Sequence, residues 1–282
     1  MTTEQAVTKI MTAVKFADIV DIGRYKEDYR ELVKLVHVDK GGSLEAVTKL
    51  NDFKTIHEKG TKYEDEAGEY YSNGYWIKRK VDDLVKKSYN NYLLIKKLGV
   101  DHLNRYIPEH GEIVGEEIVY TFGKRCVPLP LALEGEHVRW VLSRMLEFIM
   151  MLEANGYTHG GINPDNVFID PENHGIMVTS FYHMKRIGSR MSTINGKYMS
   201  WYPHQLFKFK TAYPLVDIEL VKKTAIYLLG DRSGVGVRLK KSENKELMEF
   251  LMSQGNNTHD EYKRYRELLT RNFKTKFHIL NI

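Results

Sequence analysis

Cysteine is almost absent from this sequence, since Cys126 is the only one in 282 residues. A single thiol cannot form an internal disulfide, which excludes the class of small secreted proteins held together by disulfides. Cysteine and histidine also form no cluster with the ligand spacing of a zinc site. We therefore expect a reduced compartment and no bound metal.

Long apolar runs are absent as well. No stretch approaches the roughly 20 consecutive apolar residues that a membrane-spanning helix needs. The first twenty residues carry Glu4, Lys9, Lys15 and Asp18, which interrupt the apolar stretch that a signal peptide requires. Only seven prolines and no low-complexity tract occur, which argues against long disorder. We expect a cytoplasmic globular protein with no membrane partner.

Charge is present in both signs, and the net charge is only +5 at pH 7. Basic residues cluster at 78–80, 86–87 and 96–97, and 18 tyrosines offer stacking surfaces, so binding of RNA or single-stranded DNA is one interpretation. Acidic residues are interleaved with these clusters, which favours the other interpretation, solvated helix faces. We therefore do not expect nucleic acid as a partner.

The chain from Thr3 to about Glu58 has the apolar spacing of helices. Three stripes recur every three or four positions: Val7, Ile10, Met11, Val14 and Ala17; Tyr25, Tyr29, Leu32, Val33 and Val36; Leu44, Val47, Leu50, Phe53 and Ile56. Paired glycines and polar residues at 37–42 predict a loop, and Ser43 is a suitable N-cap for the third helix. The pattern predicts a small antiparallel helical unit over residues 1–60.

From about Thr61 onward the pattern changes. Aromatic and β-favouring residues at 70–80 surround Asn73-Gly74, which predicts a hairpin, and 113–122 predicts one or two further strands. Helices are predicted at 84–98, 137–155 and 218–229. Strands followed by helices indicate an α+β fold with two lobes, the second mostly helical, over residues 61–282.

The predicted loop His37-Val38-Asp39-Lys40 follows a helix that contains Asp28-Tyr29-Arg30-Glu31-Leu32. Together these segments resemble the second helix and the His-Pro-Asp-Lys loop of a J-domain of the DnaJ family, and the resemblance covers residues 18–58. It implies a DnaK-type heat-shock chaperone as a partner, contacted through His37, Asp39, Lys40 and Arg30. Valine stands where the family has the stiffening proline, so this J-domain is degenerate.

A second set of motifs lies between residues 70 and 230, in a fixed order. It comprises Trp76-Ile77-Lys78, a helix with Asn91, the loop His159-Gly160-Gly161-Ile162-Asn163-Pro164-Asp165-Asn166, then Ser180-Phe181-Tyr182, Trp201-Tyr202-Pro203 and Asp217-Ile218. This order resembles the protein-kinase superfamily. The resemblance implies a two-lobed kinase-like fold and, if a nucleotide binds at all, contacts from Lys78 and Asn166.

The acidic groups of kinase chemistry are missing from these motifs. Gly161 replaces the carboxylate that orients the acceptor hydroxyl, and Ser180 replaces a metal-binding carboxylate. Asn163 stands in place of lysine, and Asn91 in place of the glutamate that pairs with the strand lysine. We therefore expect a pseudokinase with no catalytic residues and no cofactor, in which Asn166 and His159 brace the loop. Lys78 is equally well explained as part of a solvated basic face.

Three functions remain open at this point. The favoured hypothesis is a non-catalytic protein-binding adaptor or co-chaperone with a J-like module, whose client protein the sequence does not name. The second is an atypical ATP-dependent transferase on the kinase fold. The third is a structural or assembly subunit, such as one of a virus, because fold does not imply function.

Overall fold

Three helices form the N-terminal part of the computed structural model, which describes residues 1–273 and 280. They are α1 (Thr3–Thr12), α2 (Tyr25–Val36) and α3 (Leu44–Lys59). Thr2 and Gln5 form a capping box at α1, and the Ser43 hydroxyl caps α3 by accepting from the Ala46 amide. Apolar residues from all three helices, including Ile10, form a cluster of their own. The predicted helical unit is therefore present.

The first helix is shorter than the apolar spacing predicts. It ends at Thr12, and the chain turns through a short 3-10 helix at Phe16–Asp18. The Asp18 carboxylate accepts from the amides of Val14 and Lys15 at 3.0 and 2.9 Å, which offers these donors a partner outside a helix. Val14 and Ala17 are exposed as a result, and do not extend the buried stripe of α1.

Five antiparallel strands follow, in the spatial order β1-β2-β3-β5-β4. They are β1 (Thr61–Asp65), β2 (Gly68–Ser72), β3 (Trp76–Lys80), β4 (His110–Val114) and β5 (Glu117–Thr121). Two helices, α4 (Asp83–Lys97) and α5 (Asp101–Asn104), lie between β3 and β4 in the chain. The Asn73 side chain accepts from the Tyr75 and Trp76 amides, which forms the predicted turn between β2 and β3.

The sequence pattern did not reveal β1. Its residues are charged or polar except for Tyr63, and the strand lies at the edge of the sheet with little burial. It pairs with β2 in register from Thr61 opposite Ser72 to Asp65 opposite Gly68. The hairpin tip between them consists of Glu66 and Ala67, and this tip is important for the site.

Helices dominate the remainder of the described chain. They are α6 (Gly135–Ala154), α7 (His204–Phe209), α8 (Pro214–Leu228), α9 (Lys245–Met252) and α10 (Thr258–Asn272). Short strands accompany them: β6 (Val127–Pro128), β7 (Tyr157–Thr158), β8 (Val167–Asp170), β9 (Gly175–Val178) and β10 (Lys185–Arg186). The expected mixture of helices and strands is confirmed. Within residues 1–273, no helix has the length and apolarity to cross a membrane.

Two separate clusters of buried apolar side chains divide the structure. One runs from Ala6 to Leu50, and the other from Tyr70 to Leu269 with α6 and α8 at its centre. Polar contacts join the two parts, including an ion pair between Lys15 and Glu172. The clusters lie on either side of residue 60, although the division into 1–60 and 61–282 stays a prediction and its last residues lie outside the described chain.

Candidate functional site

One buried carboxylate holds the start of the loop at 159–166. Asp217, near the start of α8, accepts from the Thr158 hydroxyl at 2.8 Å and from the amides of His159 and Gly160 at 2.6 and 2.7 Å. Burial raises its pKa to about 6, an effect that these hydrogen bonds only partly offset. This aspartate therefore positions the loop.

Position 161 has no space for a side chain. A Cβ atom built on Gly161 would lie 2.7 Å from Cδ2 of His183. The His183 ring therefore occupies the volume into which a carboxylate at position 161 would extend. A side chain at position 161 therefore requires the His183 ring to move.

The two amides of the loop bond to the loop itself. Asn166 donates to the Gly161 carbonyl at 2.7 Å and accepts from the Asn163 amide at 3.1 Å. Asn163 donates to the same carbonyl at 2.9 Å and accepts from the Asp165 amide at 2.8 Å. Both polar atoms of Asn166 are thus engaged by backbone, which fits the expected bracing role; nucleotide binding by Asn166 stays a prediction.

The segment Ser180-Phe181-Tyr182 is attached to α4 and to the loop through its backbone. His159 Nε2 lies 2.9 Å from the Ser180 carbonyl, and burial lowers the pKa of His159 to about 3, so the neutral ring donates there. The Ser88 hydroxyl accepts from the Phe181 amide, and Asn91 donates to the Phe181 carbonyl, both at 2.8 Å. Asn91 therefore bonds to this segment and not to Lys78.

Strand β3 places Arg79, not Lys78, on the buried face. Ile77 and Arg79 alternate inward, opposite Tyr120 and Ile118 of β5. The Lys78 ammonium lies 4.6 Å from the Trp76 ring centre, on the other face of the sheet. The structure does not bring Lys78 and Asn166 together, and the sequence reasoning missed Arg79. The alternation with Ile77 in the core was the signal that could have identified it.

Arg79 forms a buried bidentate ion pair with Asp65 of β1. Its two terminal nitrogens lie 2.8 and 2.6 Å from the carboxylate oxygens, and both side chains are at most 7% exposed. Tyr182 donates to the same carboxylate at 3.1 Å and also contacts Arg79. Burial and the neighbouring Asp65 raise the pKa of Tyr182 well above 10, so it remains a donor. A bidentate geometry of this kind is strong and directional.

The tip of the β1–β2 hairpin is bonded to the helical part of the chain. Glu66 lies 2.7 Å from Nε2 of His183, and the Thr193 hydroxyl lies 3.1 Å from Nδ1. Because a carboxylate only accepts, Nε2 carries a proton and donates it to Glu66. Asp65 and Glu66 together therefore hold the hairpin down on residues 182–183.

Little space remains between the sheet and the helical part. The cavity lined by Asp65, Tyr70, Arg79, Tyr120 and Tyr182 measures about 10 Å³. A buried water needs roughly 10–15 Å³ of such volume, so this cavity holds one water at most. Tyr70 and Phe122 also pack against Phe168 at ring distances of 6.2 and 6.0 Å. Side chains fill this region.

The acidic side chains in and near the loop bond to neighbouring protein groups. Among residues 1–273 and 280, no group of three or more His, Cys, Asp and Glu side chains has an arrangement that could hold a metal ion. The acidic residue of the loop, Asp165, bonds instead to the Lys197 ammonium at 2.7 Å. Asp170 accepts from the Glu172 and Asn173 amides at 3.0 Å and therefore forms a turn.

The four residues assigned to chaperone binding lie on the N-terminal unit. Arg30 is exposed on α2, and His37, Asp39 and Lys40 are exposed in the loop after it. His37 Nδ1 accepts from the Asp39 amide at 3.3 Å, starting a 3-10 turn at Val38–Lys40. Both glycines are needed here, since Gly41 has φ +79° and a Cβ at position 42 would lie 2.0 Å from the Val36 carbonyl oxygen.

No family model and no curated protein matches this chain. Solved structures do match, among them vaccinia related kinase 3, with a TM-score of 0.49 and 13% sequence identity. That alignment covers 75% of this chain and 90% of the other. The likeness is confined to the course of the backbone.

Proposed function

We propose that this chain is a non-catalytic, protein-binding adaptor with a kinase-like body and a J-like module. The order of elements supports the body: a hairpin, a third strand, α4, two further strands, the long helix α6, the 159–166 loop and then α8. This is the order in which the sequence motifs resemble a protein kinase. Asp217 and His159 brace the loop within that outline through hydrogen bonds to backbone groups.

One observation carries the non-catalytic half of the proposal: the buried Arg79–Asp65–Tyr182 cluster fills the cleft. A nucleotide would have to displace a bidentate ion pair that is at most 7% exposed, and the remaining cavity is about 10 Å³. Separating one partner from such a buried pair typically costs about 3–5 kcal/mol, and this cost would reduce the free energy of nucleotide binding. The transferase alternative is therefore disfavoured.

A nucleotide titration tests this half directly. We expect ATP with Mg²⁺ or Mn²⁺ to leave the unfolding temperature unchanged. A ligand at 100 times its Kd would add about 2.7 kcal/mol of stability, which is easily measured. A nucleotide-dependent rise that disappears in Lys78→Met or Asn166→Ala would contradict the proposal and restore the transferase.

The J-like module supports a DnaK-type chaperone as the partner. Its candidate contacts Arg30, His37, Asp39 and Lys40 are all exposed, and the loop that carries three of them is compactly hydrogen-bonded. In this proposal the kinase-like body binds a client protein, and the module recruits the chaperone in the cytoplasm.

Stimulation of a DnaK-type ATPase by the full chain tests the chaperone half. We expect stimulation by the wild type and its loss in His37→Gln, because this imidazole starts the exposed turn. His204→Gln is the matched control, since His204 is also exposed but lies on α7. Absence of stimulation by the wild type, or equal stimulation by both variants, removes the chaperone from the proposal and leaves the non-catalytic body unaffected.

A further inference from the structure

The loop between α8 and α9 carries two exposed valines on a tightly hydrogen-bonded backbone. Val235 is 56% exposed, and Val237 is 58% exposed. The buried Asp231 carboxylate accepts from the Ser233 amide and hydroxyl at 3.1 and 2.6 Å, and from the Gly236 amide at 2.9 Å. Because these hydrogen bonds close the loop, it presents the two valines to solvent in a defined conformation.

The positions on either side of the valines face the protein. A Cβ atom built on Gly234 would lie 2.8 Å from the Trp201 ring, and one on Gly236 would lie 3.0 Å from the end of Met248. Gly236 also has φ +80°, which favours glycine. Leu239 is buried in the main apolar cluster. The residues between these three positions are therefore left to face solvent.

The charge on this loop has one sign. Four basic residues and no acidic one lie within residues 232–242, and all four are exposed: Arg232, Arg238, Lys240 and Lys241. Arg238 lies near the Asp231 carboxylate, whereas the other three form no ion pair or hydrogen bond within residues 1–273 and 280. The next acidic residue, Glu243, turns toward α6, where its carboxylate would lie 3.6 Å from a Cβ of Gly135. Three cations are therefore available to an anionic partner.

The short 3-10 turn Val237–Leu239 brings the apolar and the basic side chains together. Side chains three positions apart in a 3-10 helix lie on the same side, and Lys240 continues the turn with φ −56° and ψ −26°. Val237 and Lys240 therefore project side by side. Aliphatic side chains beside unpaired cations complement the headgroup region of an anionic bilayer. Valine has no π face on which a base could stack, which disfavours single-stranded nucleic acid.

We propose that this loop binds the surface of a bilayer that contains anionic lipids. Val235 and Val237 enter the headgroup region, and the three unpaired cations bind the lipid anions. Cytoplasmic leaflets carry such lipids, so the site would bring the adaptor to a membrane, although it does not depend on the adaptor proposal. It departs from our expectation of no membrane partner, which followed from the lack of a spanning segment, because surface binding needs none.

Cosedimentation of the full chain with vesicles of defined composition tests the charge preference. We expect binding to mixed phosphatidylserine and phosphatidylcholine vesicles, weakened by added salt, and none to phosphatidylcholine alone. Each basic residue near an anionic surface contributes about fivefold in affinity, so Lys240→Gln with Lys241→Gln should lower affinity about 25-fold. Lys86→Gln with Lys97→Gln is the matched control, since both lysines are exposed on α4 and their loss changes the net charge equally. The control should bind like the wild type.

A pair of serine substitutions tests whether the valines enter the bilayer. We expect Val235→Ser with Val237→Ser to lower affinity for the mixed vesicles about tenfold, because two aliphatic side chains no longer leave water. Val14→Ser with Val114→Ser is the matched control at two valines elsewhere, which are 61% and 55% exposed, and should bind like the wild type. Unchanged melting temperatures show that the variants are folded.

Four results would overturn the membrane proposal. They are no binding to the mixed vesicles, equal binding to neutral vesicles, equal losses in the loop variants and their controls, and normal binding by the valine variant. If the lysine pair matters and the valine pair does not, the loop instead fits an acidic protein or a nucleic acid, which contact the cations alone.

Discussion

The imidazole of His183 lies directly against Gly161, where a Cβ atom would come within 2.7 Å of its Cδ2. The same imidazole bonds to Glu66 at the hairpin tip and to Thr193. One ring thus excludes a side chain from the loop and holds the sheet against the helical part. The absence of a side chain at position 161 and the attachment of the hairpin tip therefore involve the same ring.

Restoring the carboxylate at position 161 should not restore phosphoryl transfer. We expect Gly161→Asp, alone or with Ser180→Asp, to lower the free energy of unfolding by about 1–3 kcal/mol, because the new atoms overlap His183 in a packed interior. Urea unfolding measures the change in free energy, and a transfer assay with ATP measures activity. Phosphoryl transfer by the double variant would contradict the expectation.

A double-mutant cycle separates the overlap from other effects. Gly161→Ala adds only the overlapping methyl group, and His183→Ala removes the ring that it meets. We expect Gly161→Ala to lower the free energy of unfolding by about 1 kcal/mol less in the His183→Ala background than in the wild type. The reason is that the overlap with the ring, and its packing strain, are then absent. Additive costs in the cycle would show that the ring and position 161 are independent.

Loss of one partner from the Arg79–Asp65 pair should be far costlier than loss of Lys78. We expect Arg79→Met and Asp65→Asn each to lower the free energy of unfolding by about 3–5 kcal/mol, because a buried group loses its ionic partner. Lys78→Met is the matched control on the other face of β3, where Lys78 and Trp76 are half-buried, and should cost only about 1 kcal/mol, the value of a cation–π contact. A larger loss of stability in Lys78→Met than in Arg79→Met would instead indicate that Lys78 lies in the cleft.

Proline at position 38 should fit the loop as it stands. His37 has φ −61° and ψ 139°, the extended conformation that a residue before proline prefers, and Val38 is the first residue of a 3-10 turn. We therefore expect Val38→Pro to raise stability by about 0.4–1 kcal/mol through the unfolded state. Calorimetry measures the change. If the chaperone proposal holds, ATPase stimulation rises as well; destabilisation would show that the loop cannot accept proline.

Acidification should weaken the fold through His159. Its pKa is about 3 in the folded protein and 6.5 in the unfolded chain, so between these values only the unfolded chain binds the proton. As pH falls from 6.5 toward 3, the free energy of unfolding therefore decreases by about 1.4 kcal/mol per pH unit. Urea unfolding at several pH values measures this. The difference in free energy of unfolding between the wild type and His159→Gln should become smaller below pH 6.5. If the two free energies change with pH in parallel, His159 does not cause the acid sensitivity.

Local pattern predicted much of the fold. The three N-terminal helices, the hairpin around Asn73, the helix with Asn91 and the long helix α6 all follow from spacing and turn residues, which act over a few positions. The pattern failed at β1, because a polar edge strand with little burial lacks an apolar alternation. It also failed at the end of α1, where the Asp18 side chain competes for backbone amides.

Gly161 and Ser180 supply no carboxylate in any conformation, so the amino-acid order alone establishes that these acidic groups are missing. The side chains that surround the two positions are brought there by contacts between residues far apart in the chain. Asp65 meets Tyr182, and Glu66 meets His183, each across 117 positions of the chain. Such pairs depend on strand register and on the packing of the sheet against the helical part. The register also determines which face of β3 turns inward, and it therefore places Arg79, not its neighbour Lys78, in the cleft.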